Sequence, residues 1–301
     1  MRLDGAVVLI TGASEGIGQA CAEAFRSRGA KLSLAALSSA SFPQGAVNGE
    51  IHTTGDLTDQ TTVTELVART LDRFGRIDVL VNNAGVGLYA PPSTVPLHLA
   101  RRVFDLNVFA AAALVQAVLP AMRRQRRGAI VNIGSVGGYV SLPWSVMYCA
   151  SKFALHAYSD SLRRELRGSG IQVLKVCPGI VDTDFRKHVL SGSAPEQVSN
   201  IDRLVTPRQV AMSIVGGLER NARSVYMPRI GRLFTALESI CPRAMDWYLA
   251  RKWDPGDTRL QPFRPELDDQ PASLGHQVLD LQEAVALPEA ETPEATRTSR
   301  T

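Results

Sequence analysis

Ala6-Val7-Val8-Leu9-Ile10-Thr11-Gly12-Ala13-Ser14-Glu15-Gly16-Ile17-Gly18 decides the fold. The run from Ala6 to Ile10 is aliphatic without a break and rich in β-branched residues, as in a strand buried on both faces of a parallel sheet. Glycines 12, 16 and 18 follow at once, and Gln19 to Arg28 then carries helical spacing at Ala20, Ala24 and Phe25 until Gly29 stops it. Strand, glycine-rich turn and helix in that order let the backbone pass close to a pyrophosphate. The free N–H groups and positive dipole of the helix N-terminus would meet its charge. Thr11, Gly12, Ser14, Glu15, Gly16, Ile17 and Gly18 are therefore the expected dinucleotide contacts.

Outward from this unit, strands and helices alternate. Lys31 to Leu37 reads as the second strand, and its end is where an adenosine ribose would be read. An acid there would bind the 2′-hydroxyl and an arginine would accept a 2′-phosphate. Ala36, Leu37, Ser38 and Ser39 supply neither, and the lack of a repelling carboxylate favours NADP over NAD. Ser41 to Gly49, rich in Gly, Pro and Asn, predicts a short irregular connection where a helix is usual. Ile51 onward is the third strand, with Asp56 placed to accept from the adenine amino group and Leu57 beside it. Thr62 to Phe74 is an amphipathic helix. Ile77 to Val81 is the fourth strand, and Asn82-Asn83-Ala84-Gly85 at its end suits a backbone passing close to a ligand. Leu97 to Met122 is apolar at helical spacing except at Asn107. A buried amide must be hydrogen-bonded, so Asn107 either satisfies a kinked backbone or holds an ordered water. Gln172 to Cys177 is a further strand, closed by Pro178-Gly179. The whole predicts a doubly wound α/β sheet, mostly parallel, in a single domain.

Residues 130 to 168 carry the chemistry. A strand ending in Ser135 is followed by a helix that opens on Tyr148-Cys-Ala-Ser-Lys152 and runs to about Gly168. Positions four apart lie one turn apart on the same helix face, so the Tyr148 phenol and the Lys152 ammonium can act together. Lowering a phenol by ~2 to 3 pKa units needs roughly 3 to 4 kcal/mol. One cation at about 4 Å, in an effective dielectric near 20, supplies on the order of 4 kcal/mol. The spacing thus predicts that Lys152 makes Tyr148 a working acid/base, with the Ser135 hydroxyl orienting a carbonyl or alcohol.

Composition sets the limits. The chain has 301 residues, 45% hydrophobic and 21% charged, ample for one α/β core. The net charge of +4 comes from dispersed basic residues apart from Arg123, Arg124, Arg126 and Arg127. These fall at a predicted helix end, where cations complement the dipole, so no nucleic-acid partner is expected. Cys21, Cys149, Cys177 and Cys241 lack Cys-x-x-Cys spacing, which predicts no metal site, reduced thiols and a cytoplasmic compartment. Met1 leads directly into a strand with no signal-peptide core, and no apolar run approaches the ~20 residues that span a bilayer.

Taken together, Thr11-Gly12-x-x-x-Gly16-x-Gly18, Asp56, Asn82-Asn83-Ala84-Gly85, Asn107, Ser135, Tyr148-x-x-x-Lys152 and Pro178-Gly179 with Thr183 closely resemble the short-chain dehydrogenase/reductase family. All occur in the family's order over roughly residues 3 to 230. The resemblance implies an NAD(P)-dependent oxidoreductase interconverting an alcohol and a carbonyl. It implies that Tyr148 transfers the proton, that Lys152 lowers its pKa and bonds the nicotinamide ribose, and that Ser135 orients the substrate. Asn107 would anchor a water leading protons to solvent. Asn83, Ala84 and Gly85 would lie along the cofactor; Pro178, Gly179, the Ile180 backbone and Thr183 would hold the nicotinamide end. It further implies a homo-oligomer built on the helices at 97 to 122 and 148 to 167, which carry apolar residues on more than one face. Two rivals stand beside this reading: a reductase of lipid, acyl-chain or polyketide intermediates, and a dinucleotide-sensing binding protein. Intact Ser135, Tyr148 and Lys152 argue against the sensor.

The sequence departs from the family at the second strand's end, in the connection that follows, and at the C-terminus. A last strand, Ser224 to Met227, closes a catalytic domain of residues 1–229. Residues 230–254 then carry Ile230, Leu233, Phe234, Leu237, Ile240, Met245, Tyr248 and Leu249 at helical spacing, broken into two helices by Pro242. This extension is expected to fold back over the substrate cleft; the alternative is a peripheral membrane contact through 230–253, anchored by Trp247, Tyr248 and Trp253. Residues 255–301, with eight acidic residues against three arginines from Pro262 onward, predict a disordered acidic tail.

Overall fold

A computed structural model of the chain describes residues 1–38, 49–191 and 205–252. The expectations for the connection after the second strand and for the C-terminal tail lie outside the described residues, apart from Gly49. Strands β1 (Val7–Thr11), β2 (Lys31–Ala36), β3 (Ile51–Thr54), β4 (Val79–Asn82), β5 (Gly128–Ile133), β6 (Ile171–Pro178) and β7 (Ser224–Met227) form one sheet. Its order is β3-β2-β1-β4-β5-β6-β7, and every pairing is parallel. All strands therefore end at one edge, and the order reverses between β1 and β4, where a doubly wound sheet opens its ligand crevice.

Alternation along the strands splits the interior into two cores. Val8, Ile10, Val79, Val81, Val131 and Leu174 face one side, covered by α1 (Gly16–Arg26) and α6 (Pro207–Glu219). Leu9, Leu80, Ile130 and Val173 face the other, covered by α2 (Gln60–Phe74), α4 (Ala111–Gln125) and α5 (Val146–Glu165). A third cluster of Leu88, Leu99, Ala100 and Val103 lies beside the crevice, where α3 (Leu97–Phe104) packs on the loops before it.

The long helix departs from expectation in two ways. It is interrupted by a wider, π-helical segment at Asp105–Ala110, so α3 and α4 are joined through it. As one stretch, Leu97–Gln125 has 29 residues and a window of mean hydropathy 1.7, long and apolar enough by length and composition to cross a membrane. This corrects the expectation that no run comes close. In the fold its Leu114, Val115, Val118 and Met122 are spent on the core against the sheet.

The extension forms α7 (Gly231–Ile240) and α8 (Pro242–Lys252), divided at Pro242. A side chain on Gly231 would stand 3.2 Å from Val136 Cγ2, so α7 begins against the turn that follows Ser135. Thr235 and Met245 are buried, but Ile230 (55%), Leu233 (68%), Ile240 (82%) and Trp247 (61%) are exposed. Of the apolar stripe, Met245 is thus buried, whereas Ile230, Leu233, Leu237, Ile240 and Tyr248 stay exposed among the described residues.

An ion cluster ties α5 to the sheet. Asp160 accepts from Lys175 Nζ at 2.8 Å and from Arg163 at 2.5 Å, with Arg223 at 3.5 Å. Partial burial raises the Asp160 carboxyl, but the hydrogen bonds from Arg163 and Lys175 outweigh it and hold the group well below the usual carboxylate range. Lys175 is buried, so removing its counter-ion strands a charge. Asp160→Asn should destabilise the fold by about 3 kcal/mol at pH 7, as breaking buried pairs does. Because the folded carboxyl is the stronger acid, this stabilisation is full above about pH 4 and fades as pH falls toward the lowered value. Denaturant melts of both proteins at pH 7 and pH 3 check this: the gap between them should narrow in acid.

Candidate active site

The crevice is built at the ends of β1 and β4. Thr11, the last residue of β1, accepts through Oγ1 from the backbone N–H groups of Asn83 and Ala84 at 3.0 and 3.1 Å and donates to Val81 O at 3.3 Å. The Asn83 amide donates to Thr11 O and Gly12 O, each at 3.0 Å. The two asparagines therefore have different tasks. Asn82 turns into the sheet and donates to Asn132 Oδ1 at 2.9 Å and to Ala111 O, while Asn83 holds the turn.

The turn from Gly12 to Gly18 leads into α1, whose N-terminus has no side-chain cap and no acidic residue in its first turn. Gly16 has φ +54, and a side chain there would meet Thr183 Cγ2 at 3.2 Å. Its glycine is thus required by backbone conformation and by Thr183, not by ligand space alone. An uncapped, unblocked helix start after a backbone-lined turn fits an anionic pyrophosphate. Glu15 pairs with His188 at 2.6 Å, joining this turn to the short helical turn Asp184–His188. Leu57 is buried. Asp56 accepts from Thr58 N and Oγ1 and from Arg102 at 3.1 Å, so its carboxylate also serves its own loop. At the end of β2, Leu37 is exposed, and Ser39 lies outside the described residues. Beyond β6, Gly179 N donates to Met227 O at 2.7 Å and Ile180 O accepts from Val205 N, fixing the stretch that leads to Thr183.

Ser135, Tyr148 and Lys152 converge. Ser135 Oγ and the Tyr148 ring both border Gly137, and Ser135 Oγ accepts from Gly137 N at 3.0 Å. Lys152 is buried, donates to Ile133 O at 3.1 Å and lies 5.7 Å from the centre of the Tyr148 ring. Asn107, aimed by the π-helical segment, clamps Val86 by accepting from its N–H and donating to its carbonyl, and donates to Ser151 Oγ at 3.1 Å. The backbone this amide serves is that of the Val86 loop and not that of its own helix. Gly85 lies between Asn107 and Lys152, close to both side chains.

The protonation balance differs from the sequence expectation. Burial raises Tyr148, the nearby Tyr89 hydroxyl adds to this, and the Ser135 hydroxyl only partly opposes it. Lys152 does not pull the phenol down: its ammonium is directed to Ile133, and burial lowers Lys152 itself to about 8. Desolvation of both groups outweighs their attraction, so the resting pair is a neutral phenol beside a weakly held proton on lysine.

The substrate side is roofed by loops. Leu190 N donates to Gly87 O and Tyr89 N to Ser191 O, both at 3.0 Å, and Ala90 N to Trp144 O at 2.8 Å. Phe185 stands 6.0 Å from the Tyr148 ring. Tyr89, Phe185 and His188 were not singled out in the sequence, because the loops and short turns that carry them have no periodic signal; Arg102 lies on α3 and was missed because its partner Asp56 is distant in the chain. His156 was also missed, although it follows Lys152 by four residues and so shares its helix face.

A family model described as short chain dehydrogenase matches residues 6–194. The chain belongs to the short-chain dehydrogenase/reductase family. It is 36% identical over 195 residues to the rat protein named dehydrogenase/reductase SDR family member 7B, covering 61% of this chain and 60% of that one. The chain thus matches about 60% of that relative's length. A short chain dehydrogenase from Burkholderia cenocepacia in complex with NADP superposes with TM-score 0.72 at 26% identity, over 83% of this chain and 99% of that one. A short chain dehydrogenase/reductase from Burkholderia phymatum in complex with NAD does so with TM-score 0.72 at 27% identity, over 85% and 99%.

In the cofactor-free protein Lys152 should titrate near pH 8. NMR of ¹³C-labelled lysine, with the resonance assigned by its loss in Lys152→Ala, measures this; a midpoint above about 10, the ordinary lysine value, would contradict the burial argument.

Proposed function

We propose that the protein interconverts an apolar secondary alcohol and its carbonyl compound using NAD or NADP, with Ser135, Tyr148 and Lys152 as its catalytic residues. The observation that carries this is the convergence of Ser135 and Tyr148 at Gly137, one helical turn from the buried Lys152 ammonium. The nicotinamide, when bound, supplies or accepts the hydride. Ser135 holds the substrate oxygen and Tyr148 moves the proton to or from that same atom. The resting neutral phenol is the proton-loaded form, the one that carbonyl reduction uses. Lys152 bonds the nicotinamide ribose and keeps positive charge beside the phenol. Asn107 holds the Val86 loop in place and supports a water on the path from Lys152.

The turn Thr11 to Gly18 receives the pyrophosphate, Asp56 and Leu57 the adenine, Asn83 to Gly85 the nicotinamide-side ribose, and Pro178, Gly179, Ile180 and Thr183 the carboxamide. NADP is favoured over NAD because Leu37 and Ser38 place no carboxylate where a 2′-phosphate would sit. An apolar substrate is supported by Phe185 beside Tyr148 and by the Leu88, Leu99 and Val103 cluster behind the loops. Tyr148→Phe should lower kcat by at least about 10²-fold, the usual worth of a positioned proton donor. The Kd for NADPH, read by fluorescence titration, should stay within about twofold.

Two surfaces support further contacts. Phe109, Val146 and Phe153 are exposed on the π-helical segment and α5, the faces on which a second copy would pack. The stripe of Ile230, Leu233, Leu237 and Ile240, with Arg229, Arg232 and Arg243 near its ends, suits an anionic lipid surface. Light scattering should report a dimer or larger, unchanged in Leu233→Asp/Ile240→Asp, whereas flotation with phosphatidylserine vesicles should be lost in that variant. A monomer would sink the first contact, and equal flotation of both proteins the second.

A further inference from the structure

His156 lies one helical turn beyond Lys152 on α5, buried beneath the turn that carries Ser135. Its Nδ1 is 3.0 Å from Gly138 O, and its Nε2 is 3.4 Å from Ser135 N. A carbonyl oxygen can only accept and a backbone N–H can only donate. The hydrogen is therefore on Nδ1, and the Nε2 lone pair faces Ser135. The glycines on either side of Ser135 are shaped to this ring. A side-chain carbon at Gly134 would lie 2.0 Å from His156 Nε2, and one at Gly138 would lie 2.6 Å from Cε1. Tyr139 packs against the imidazole with ring centres 4.5 Å apart, and Cys177 Sγ is 3.9 Å from Nε2. The backbone from Gly134 to Tyr139 is thus wrapped around one side chain.

We infer that His156 is a positioning residue: it holds the Ser135 turn through Ser135 N and Gly138 O, and so sets the Ser135 hydroxyl against Tyr148. This rests on the proposed role of Ser135 in orienting the substrate. The ring does not touch the reacting atoms. Its value lies in being a rigid, neutral, two-ended strut. Burial, with the Lys175 and Lys152 charges adding to it, pushes the imidazole down to about 3, so it keeps a lone pair toward Ser135 at every pH at which the fold is used. Gly138 N donates to Ser135 O at 3.0 Å and Tyr139 N to Val136 O at 2.9 Å inside the turn, while Gly134 N donates to Val176 O at 2.8 Å and holds its start to β6. Lys152 Nζ on Ile133 O and Leu142 N on Cys149 Sγ tie α5 to the chain before and after the turn; the His156 ring ties α5 to Ser135 and Gly138 themselves.

A double-mutant cycle separates positioning from packing, because residues acting through one another are non-additive. His156→Phe keeps a ring of similar size and removes both nitrogens. It should lower kcat for a reducible ketone by about 10²-fold, the scale of a misplacement near 1 Å, with the Kd for NADPH unchanged within twofold. In a Ser135→Ala background the same change should cost less than about threefold. Where His156→Phe does not give folded protein by circular dichroism, His156→Gln takes its place in the cycle. Equal losses in the two backgrounds, or no loss in the wild-type background, overturn the positioning role alone. Full activity of Ser135→Ala overturns the reading of the site on which it rests.

Discussion

The clasp between the ends of β1 and β4 is the constraint on which the rest of the site depends. Where neighbouring strands send their chains to opposite faces, the ladder stops and leaves backbone groups to be satisfied by other means. Thr11 and Asn83 satisfy them for each other. From this clasp the glycine-rich turn departs on one side. On the other, hydrogen bonds run from Val86 to Asn107, on to Ser151 and from Ser151 Oγ to Tyr148 O at 2.7 Å. The phosphate-facing turn and the tyrosine helix are thus positioned by one connected set of bonds, so neither can shift without the other.

Charge and burial compete within the site, and burial prevails in the free protein. A Coulomb argument at about 4 Å makes lysine sufficient to activate the phenol, but the ammonium is 5.7 Å from the ring centre and directed to a carbonyl. Removing both groups from water disfavours the charged form of each, and at that separation the attraction does not repay the loss. Elsewhere the balance reverses. Asp160 keeps its charge because three cations converge on it. The difference lies in the number of partners and in how open the carboxylate remains.

Most of the fold was legible because its signals are local and periodic: apolar runs for buried strands, glycines between strand and helix, Pro242 between α7 and α8. Tyr148 and Lys152 were legible from helical spacing, and Ser135 from its place at a strand end. What escaped depends on long-range contacts. Nothing in Asn82-Asn83 tells which amide faces the sheet and which the turn. α6 was not anticipated, although Thr206 and Gln209 form a capping box with Pro207 at the first turn. His156 could have been found by extending the Tyr148 and Lys152 face one turn further. The roof formed by Tyr89 and Phe185 could not, since the loops meet only after the sheet has brought their ends together.

The wider turns at Asp105–Ala110 confine to the middle of the long helix the one place where its length can change by a residue. Leu99, Val103, Asn107 and Ala111 are all buried at successive steps of four. In an ordinary α-helix each such step overshoots a full turn by about 40°, and the π-helical segment absorbs the drift. Upstream the helix serves the Leu88 cluster and downstream the sheet, so two cores share one rod whose phase is set at its middle. Loss of a single residue from that middle, with the turns tightening to ordinary α-helix, leaves the upstream half within about 20° of its present phase. The same loss from α4 would rotate the upstream half by about 100° and bring His98 and Arg102 to where Leu99 and Val103 are buried, a frame error that no neighbouring loop could absorb.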